Sequence, residues 1–357
     1  MKRIVFFHLL NNYTGSPMVL RNVIQVALSQ KYKVDLYTSN SEGFLSGIPG
    51  ITYHNNHYKR YNQKALTFFS FFASQIVLGF QLFMKYKKTD SLFYVNTILP
   101  FGGILMGRWM GKRVITHVHE FEISPKLLNR FLFGIVNRFS KETVVVSHFL
   151  TSNPNLKNKN VKVIYNSITE DFEGKAKAKH QKNKTFNVLM LASLRPYKGI
   201  FEFIELGNRL PQYTFTLVVS DSPDDLKKFI SEREIPKNVQ IFPVQADVHP
   251  FYRNADLILN LAVKSQVVET FGLTILEGMY YGLPAIVPIS GGITELVQEG
   301  FNGFHRDSTE IDKIVKTIET IATEPGYWNE LHLNSLTMKE KFSRNKFEIN
   351  ILKLLTA

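Results

Sequence analysis

The chain is 357 residues long, 44% hydrophobic and 20% charged, and has no cysteine. Its length exceeds one ordinary core and predicts two globular domains of roughly 150 residues each. The missing thiols exclude a disulfide framework, a thiolate metal site and a cysteine nucleophile. The net charge of +13 is concentrated, with 21 Lys/Arg against 6 Asp/Glu in residues 1–168 and 22 against 24 in the remainder. Such a half is either a solvated basic surface or the docking side for an anionic partner, nucleic acid or a membrane.

The opening "MKRIVFFHLL" has too short an apolar run and no small-residue cleavage site for a secretory signal, so the cytoplasm is the expected compartment. Within it "RIVFFHLL" reads as a buried strand. "SPMVLRNVIQVALSQ" follows as a helix, with Ser16 at the cap and Pro17 at the first position. "KVDLYTS" is the next strand. The stretch 65–84, "ALTFFSFFASQIVLGFQLFM", is uncharged over twenty residues between Lys64 and Lys85 and meets the length criterion for a membrane span. Thr67, Ser70, Ser74 and Gln81 fall on one helical stripe, which favours a buried or membrane-facing amphipathic helix instead. "SLFYVNT", "RVITHVH", "ETVVVS" and "VKVIYNS" are further strands; their alternation with helices predicts βαβ units and a parallel sheet.

The polar, basic "EGKAKAKHQKNKTF" (173–186) reads as a linker between a first domain, 1–172, and a second, 187–340. The second repeats the pattern with "FNVLMLAS", "TFTLVVS", "VQIFPV", "DLILNLA" and "PAIVPIS". Residues 341–357 form an amphipathic helix with Phe342, Phe347, Ile351 and Leu354 near one face. The fold class is therefore α/β, two Rossmann-like doubly wound domains in tandem.

Four segments carry candidate chemistry. In "VVETFGLTILEGMYYGLP" a helix opens near Thr270 and Gly272 and closes at Gly282, with Pro284 beyond. Its start attracts phosphate, because the first amides lack partners and the dipole is positive there. Glu269 precedes that start and Glu277 lies more than a turn inside. This spacing is poor for an acid/base pair and good for holding a phosphorylated ligand at two points. In "LASLRPYKGI", Arg195 and Lys198 follow a strand three residues apart and can reach one diphosphate, unless the segment is an ordinary solvated turn. In "NNYTGSP", Gly15 permits close approach of a ligand, but G-x-G-x-x-G is absent and a nicotinamide or flavin site is not expected. In "THVHEFE", His117 and His119 are alternate residues at a strand end. They either share a metal, which would need a third ligand, or a single histidine of the pair faces the interdomain cleft.

Taken in order, these segments resemble the retaining, nucleotide-sugar-dependent glycosyltransferases of family 4, also called group 1, which have the GT-B fold. "GSPMVLRNV" is similar to that family's glycine loop, "HVHE" to its strand ending in His and an acid, and "SLRPYKGI" to its basic loop. "ETFGLTILEGMYYGLPAIVPISGGITELVQEGFNGF" is similar to its long signature of two glutamates, Gly-x-Pro and Gly-Gly-x-x-Glu. The chain departs from the pattern at Ser193, where an Arg is usual, at Ser16 and Pro17, where a second glycine is common, and at "DSPDD" (221–225) in place of a glycine-rich turn.

The resemblance implies two domains facing a cleft, with the C-terminal helix returning to the first. It implies a nucleoside diphosphate sugar on the second domain, held by Glu277 at the ribose, Glu269 at the sugar, and the backbone of Thr270, Phe271, Gly272, Leu273 and Thr274. Lys198, helped by Arg195, would neutralise the leaving diphosphate, Gly15 would approach the donor, and His119 would orient sugar or acceptor. No cofactor and no metal are expected. The expected acceptor is a glycan or lipid-linked glycan of a cell-surface polysaccharide, taken up by the basic first domain at the anionic inner face of the cell membrane. No nucleic-acid-binding motif accompanies the charge, so nucleic acid is not an expected partner. An epimerase of the same architecture and a non-catalytic sugar-binding subunit are the competing readings.

Overall fold

Two parallel sheets organise the chain in a computed structural model that describes residues 2–178 and 181–357. The first contains β1 (Arg3–Phe7), β2 (Lys33–Thr38), β3 (Ile51–Asn55), β4 (Ser91–Asn96), β5 (Arg113–Val118), β6 (Glu142–Val145) and β7 (Val161–Val163). Its order is β3-β2-β1-β4-β5-β6-β7. The second contains β8 (Asn187–Ala192), β9 (Thr214–Val219), β10 (Val239–Phe242), β11 (Leu257–Leu259), β12 (Ala285–Val287) and β13 (Gly303–His305), in the order β10-β9-β8-β11-β12-β13. In each sheet the strand order reverses once, at β1/β4 and at β8/β11. The loops leaving the carboxyl ends of those strands diverge there and open a crevice suited to a ligand.

Helices cover both faces, so the inner strands read as continuous apolar runs. Ile4 to Phe7 are fully buried, as are Leu257 and Ile258. The edge strands differ. β3, "ITYHN", is half polar and partly exposed, and β13 is only three residues long; periodicity predicts neither.

The chain divides into two compact units, the first running to Ser167 and taking in Asn345–Ala357, the second being Ile168–Arg344. The stretch 173–186 is not uniformly irregular: a helix, Glu170–Lys175, runs into it, capped by Thr169, whose Oγ1 accepts from Phe172 N. Lys179 and His180 of that expected linker lie outside the described residues.

Two local expectations need correction, on the first helix and on the C-terminal one. The first helix is Gly15–Ser29 with Thr14 at its cap, so Ser16 and Pro17 lie inside its first turn. The C-terminal helix, Arg344–Thr356, buries Phe347, Ile351 and Leu354 in the first unit, where Arg113 Nη2 donates to Leu354 O at 2.7 Å. Phe342 is not on that face. It ends a preceding 3-10 turn, Lys339–Phe342, and its ring lies 6.0 Å from Phe271 in the second unit. The 65–84 stretch is the helix Lys64–Tyr86, and its polar stripe turns toward the protein. Ser70 Oγ accepts from Lys59 N, Thr67 Oγ1 bonds the backbone of Tyr61, and Ser74 is buried.

Candidate functional site

In the second unit the crevice residues come from loops after β8 and β11. After β8, Arg195 starts a tight turn, Pro196–Lys198, that ends at Gly199 with φ +81°. Only glycine fits there, since a Cβ would sit 2.2 Å from Leu261 O, just beyond β11. The turn is pinned at its start by Asp221 Oδ2, which accepts from Leu194 N at 2.7 Å, and at its side by Val263 N donating to Tyr197 O at 2.9 Å. The segment "DSPDD" thus has a structural role: Asp221 anchors the basic loop, and Ser222 caps the helix Pro223–Ser231 by accepting from Asp225 N. A Ser followed three residues later by Asp is a helix-start pattern that sequence inspection offers directly.

Lys198 Nζ forms an ion pair with Glu269 Oε1, joining two residues 71 positions apart. The side chains are 26% and 17% exposed, so both still face solvent. Arg195 is exposed, on the same turn. Beyond Glu269 the chain passes Thr270 and Phe271 to Gly272, which has φ +101° and would drive a Cβ to 2.6 Å from Ile293. Leu273 and Thr274 then open the helix Leu273–Met279, whose first amides point out of its end. The opposite wall is made by Gly291, also left-handed at φ +111°, where a Cβ would lie 2.5 Å from Glu269 O. Glycine at both positions lets the backbone close tightly around the loop carrying Glu269.

Glu277 is held separately. Tyr252 OH donates to its Oε2 at 2.5 Å, and Tyr252 is fully buried, stacked on Tyr281 at 5.5 Å. Desolvation pushes the Glu277 carboxyl up to about 7, against the Tyr252 hydrogen bond, which favours the charged form. The two glutamates therefore have different partners, as the helix start between them predicts. Tyr252 has no distinguishing sequence signal; only folding places it under Glu277.

In the first unit, β1, β4 and β5 bring another polar group together. His119 Nε2 donates to Asn96 Oδ1 at 2.9 Å, and Asn96 Nδ2 donates to Ser16 O at 3.0 Å, which fixes the orientation of the amide. The bond to an acceptor-only oxygen sets the tautomer of His119, leaving Nδ1 as the lone-pair nitrogen. Burial, then repulsion from His117 and His8, holds the His119 pKa well below the ordinary value, so the ring is neutral near pH 7. His117 is fully buried and bonds Tyr94 OH at 2.8 Å through Nδ1; it is a core side chain, although its ring lies 4.4 Å from that of His119. Among the described residues no group of three His, Asp or Glu is placed to hold a metal. Glu120, raised by burial to about 7, accepts from His119 N. Gly15 is exposed at the first turn of its helix.

Asn96 is the positioning residue that sequence reading misses. Asn96→Ala is expected to lower stability by about 1–3 kcal/mol, because it leaves buried groups without partners. It should also release the tautomer. In 15N spectra near pH 7, His119 should be the Nε2-protonated neutral form in the parent and a mixture in the variant; an unchanged spectrum would refute the assignment.

Residues 172–338, inside the second unit, match the profile of the family described as Glycosyl transferases group 1. A sucrose synthase of Denitrovibrio acetiphilus is 33% identical over 95 residues, which is 26% of this chain and 12% of that relative's length. Over 99% of both chains the fold superimposes on Anabaena Alr3699/HepE, solved in complex with UDP and glucose, with a TM-score of 0.79 and 19% identity. Sucrose-phosphate synthase from Thermosynechococcus elongatus superimposes with a TM-score of 0.81 and 14% identity, over 100% of this chain and 98% of that one. With two Rossmann-like parallel sheets of the GT-B type and a family match that falls on the unit carrying Lys198, Glu269 and Glu277, the chain resembles the group 1 glycosyltransferases.

Proposed function

We propose that the protein is a retaining glycosyltransferase that moves a sugar from a nucleoside diphosphate sugar to a glycan or lipid-linked acceptor of a cell-surface polysaccharide. The observation that carries this reading is the Lys198–Glu269 pair at the β8/β11 switch point, beside the glycine-lined entry to the Leu273–Met279 helix. Glu277 takes the ribose hydroxyls. The amides from Phe271 to Thr274 and the cations Lys198 and Arg195 take the diphosphate, and Glu269 meets the donor sugar. The structures of Anabaena Alr3699/HepE with UDP and glucose support a nucleotide-sugar donor.

In the reaction the anomeric carbon–phosphate oxygen bond breaks as positive charge builds on the sugar ring. Negative charge accumulates on the departing diphosphate, where a preorganised ammonium and backbone amides lower the barrier. The acceptor oxygen bonds to the anomeric carbon on the same face, its proton passes to a phosphate oxygen, and configuration is retained. This route requires no metal. In the first unit, His119 presents a neutral imidazole to sugar or acceptor.

Incubation with UDP-, GDP- and dTDP-sugars, with and without membrane extract, tests the reading. Nucleotide release that depends on added acceptor is the expected result. Isomerised donor without acceptor would make the protein an epimerase, and binding without turnover of any donor would make it a sugar-binding subunit.

A further inference from the structure

The Lys64–Tyr86 helix is apolar on its buried face and on its exposed face alike. Its polar residues face the protein: Ser74 and Gln75 are buried, and Gln75 Oε1 accepts from Gly102 N at 3.0 Å on the neighbouring helix Phe101–Trp109. One set of its large apolar residues, Phe71, Leu78, Leu82 and Tyr86, is buried against the protein, and a second set faces outward, with Phe69 69%, Ile76 75%, Phe80 67% and Met84 58% exposed. The patch continues onto the two next helices. Trp109, 69% exposed, lies 5.0 Å ring to ring from Phe83, and Leu127 is 79% exposed at the start of the helix Lys126–Phe139. Isolated exposed apolar residues need no explanation, but a contiguous face across three helices marks a docking surface.

Charge decides what docks there. None of the three helices contains an Asp or Glu, and residues 43–89 contain none either. Exposed cations stand at the rim: Lys59 and Arg60 before the long helix, Lys64 at its first residue, Lys87 and Lys88 after it, and Arg108 and Arg130 beside it. A second copy of this face would set cation against cation. An anionic lipid surface, by contrast, offers hydrocarbon to the aromatic face and phosphates to the rim. The helix is seated on its unit along one side, where Leu78 and Leu82 are buried and Gln75 is tied to Gly102 on the neighbouring helix, so only its other face is offered to a membrane. We infer that this face lies in the plane of an anionic bilayer, with the outward aromatics inserted at the boundary of headgroups and acyl chains. The inference stands on the first unit alone and is independent of the transfer reaction.

Flotation of the purified full chain with phosphatidylcholine vesicles, with and without phosphatidylglycerol, tests it. Binding is expected to rise with anionic lipid. It should fall by about fivefold for each rim charge removed in Lys64→Gln and Lys88→Gln. Lys85 is left intact, since it bonds buried Asp35 at 3.0 Å. Phe69→Ser with Phe80→Ser should reduce binding at least tenfold at any salt, by an estimate from lost apolar burial. Quenching by brominated lipid serves as a readout that needs no variant: Trp328 is buried, so a quenched signal reports Trp109 entering the acyl region. Absence of both vesicle binding and quenching would overturn the inference. So would a concentration-dependent dimer abolished by the double serine variant, which would make the face a self-interface.

Discussion

Lys198→Ala is expected to lower kcat by about 10²–10³-fold while changing donor affinity much less, the size of effect found when one preorganised donor to a developing oxyanion is removed. The structure says why the loss should be in turnover. The backbone of Lys198 is pinned by its turn, with Gly199 close against Leu261 and Asp221 holding Leu194, so its side chain always starts from one point beside the site. Before a ligand arrives its partner is Glu269. A diphosphate carries more charge than one carboxylate, and we propose that it draws the ammonium across, freeing Glu269 for the sugar. That exchange is most favourable as the bond to phosphate breaks and the charge there peaks. Stability should hardly move, because a partly exposed ion pair contributes only about 0–1 kcal/mol. A melting temperature near the parent's, unchanged donor binding by calorimetry and a collapsed kcat form the expected set. A kcat within threefold of the parent's would remove Lys198 from the chemistry. Lys198→Arg should recover little, because a planar fork cannot reproduce a point charge at this turn.

The inner strands of both sheets were legible because burial on two faces writes continuous apolar runs such as "IVFF" and "LILNLA" into the chain. β3 and β13 were not: both are edge strands, and "ITYHN" and "GFH" carry no apolar run. The separate roles of Glu269 and Glu277 were legible from the helix start between them. The pairing of Glu269 with Lys198 was not, since it depends on β8 and β11 lying side by side across 71 residues of sequence. Tyr252 and Asn96 were missed for a related reason: each is a single polar residue in an unremarkable pattern, and tertiary packing alone gives it a partner. On the Lys64–Tyr86 helix the polar stripe was found at the right residues, yet amphipathic logic assumes water outside and oil inside. Here Ser70 and Gln75 bond the protein beside the buried Phe71, Leu78 and Leu82, and a second apolar face with Phe69 and Phe80 points outward.

Donor affinity is expected to fall as pH drops below about 7, and Glu277 is the group responsible. Burial raises its carboxyl to about 7, so the free protein is partly protonated near neutrality. In the proposed donor complex two ribose hydroxyls would donate best to the ionised form, so binding would pull the proton off. The linkage then gives full affinity above the free-state pKa, with a loss that approaches tenfold per pH unit below it. Stability runs the other way. A carboxyl whose folded pKa is raised binds more protons folded than unfolded between about 4.5 and 7. Its contribution is therefore fully present below that window and is lost as pH rises through it. Calorimetry with UDP-glucose from pH 5.5 to 8, as about the range that brackets this group, separates the two effects, because the phosphodiester oxygens of the donor stay ionised throughout. Net proton release near pH 7, scaling with buffer ionisation enthalpy, is the expected signature. Glu277→Gln should weaken binding about 10–100-fold at pH 8, the loss expected when a charge-assisted acceptor is neutralised, and should flatten the pH profile. Tyr252→Phe removes the hydrogen bond that favours the carboxylate and should move the midpoint upward. Glu120, which burial also raises to about 7, is the internal control in the first unit. If the Gln variant retained the parent's pH slope, the titrating group would be elsewhere and Glu277 would not hold the ribose.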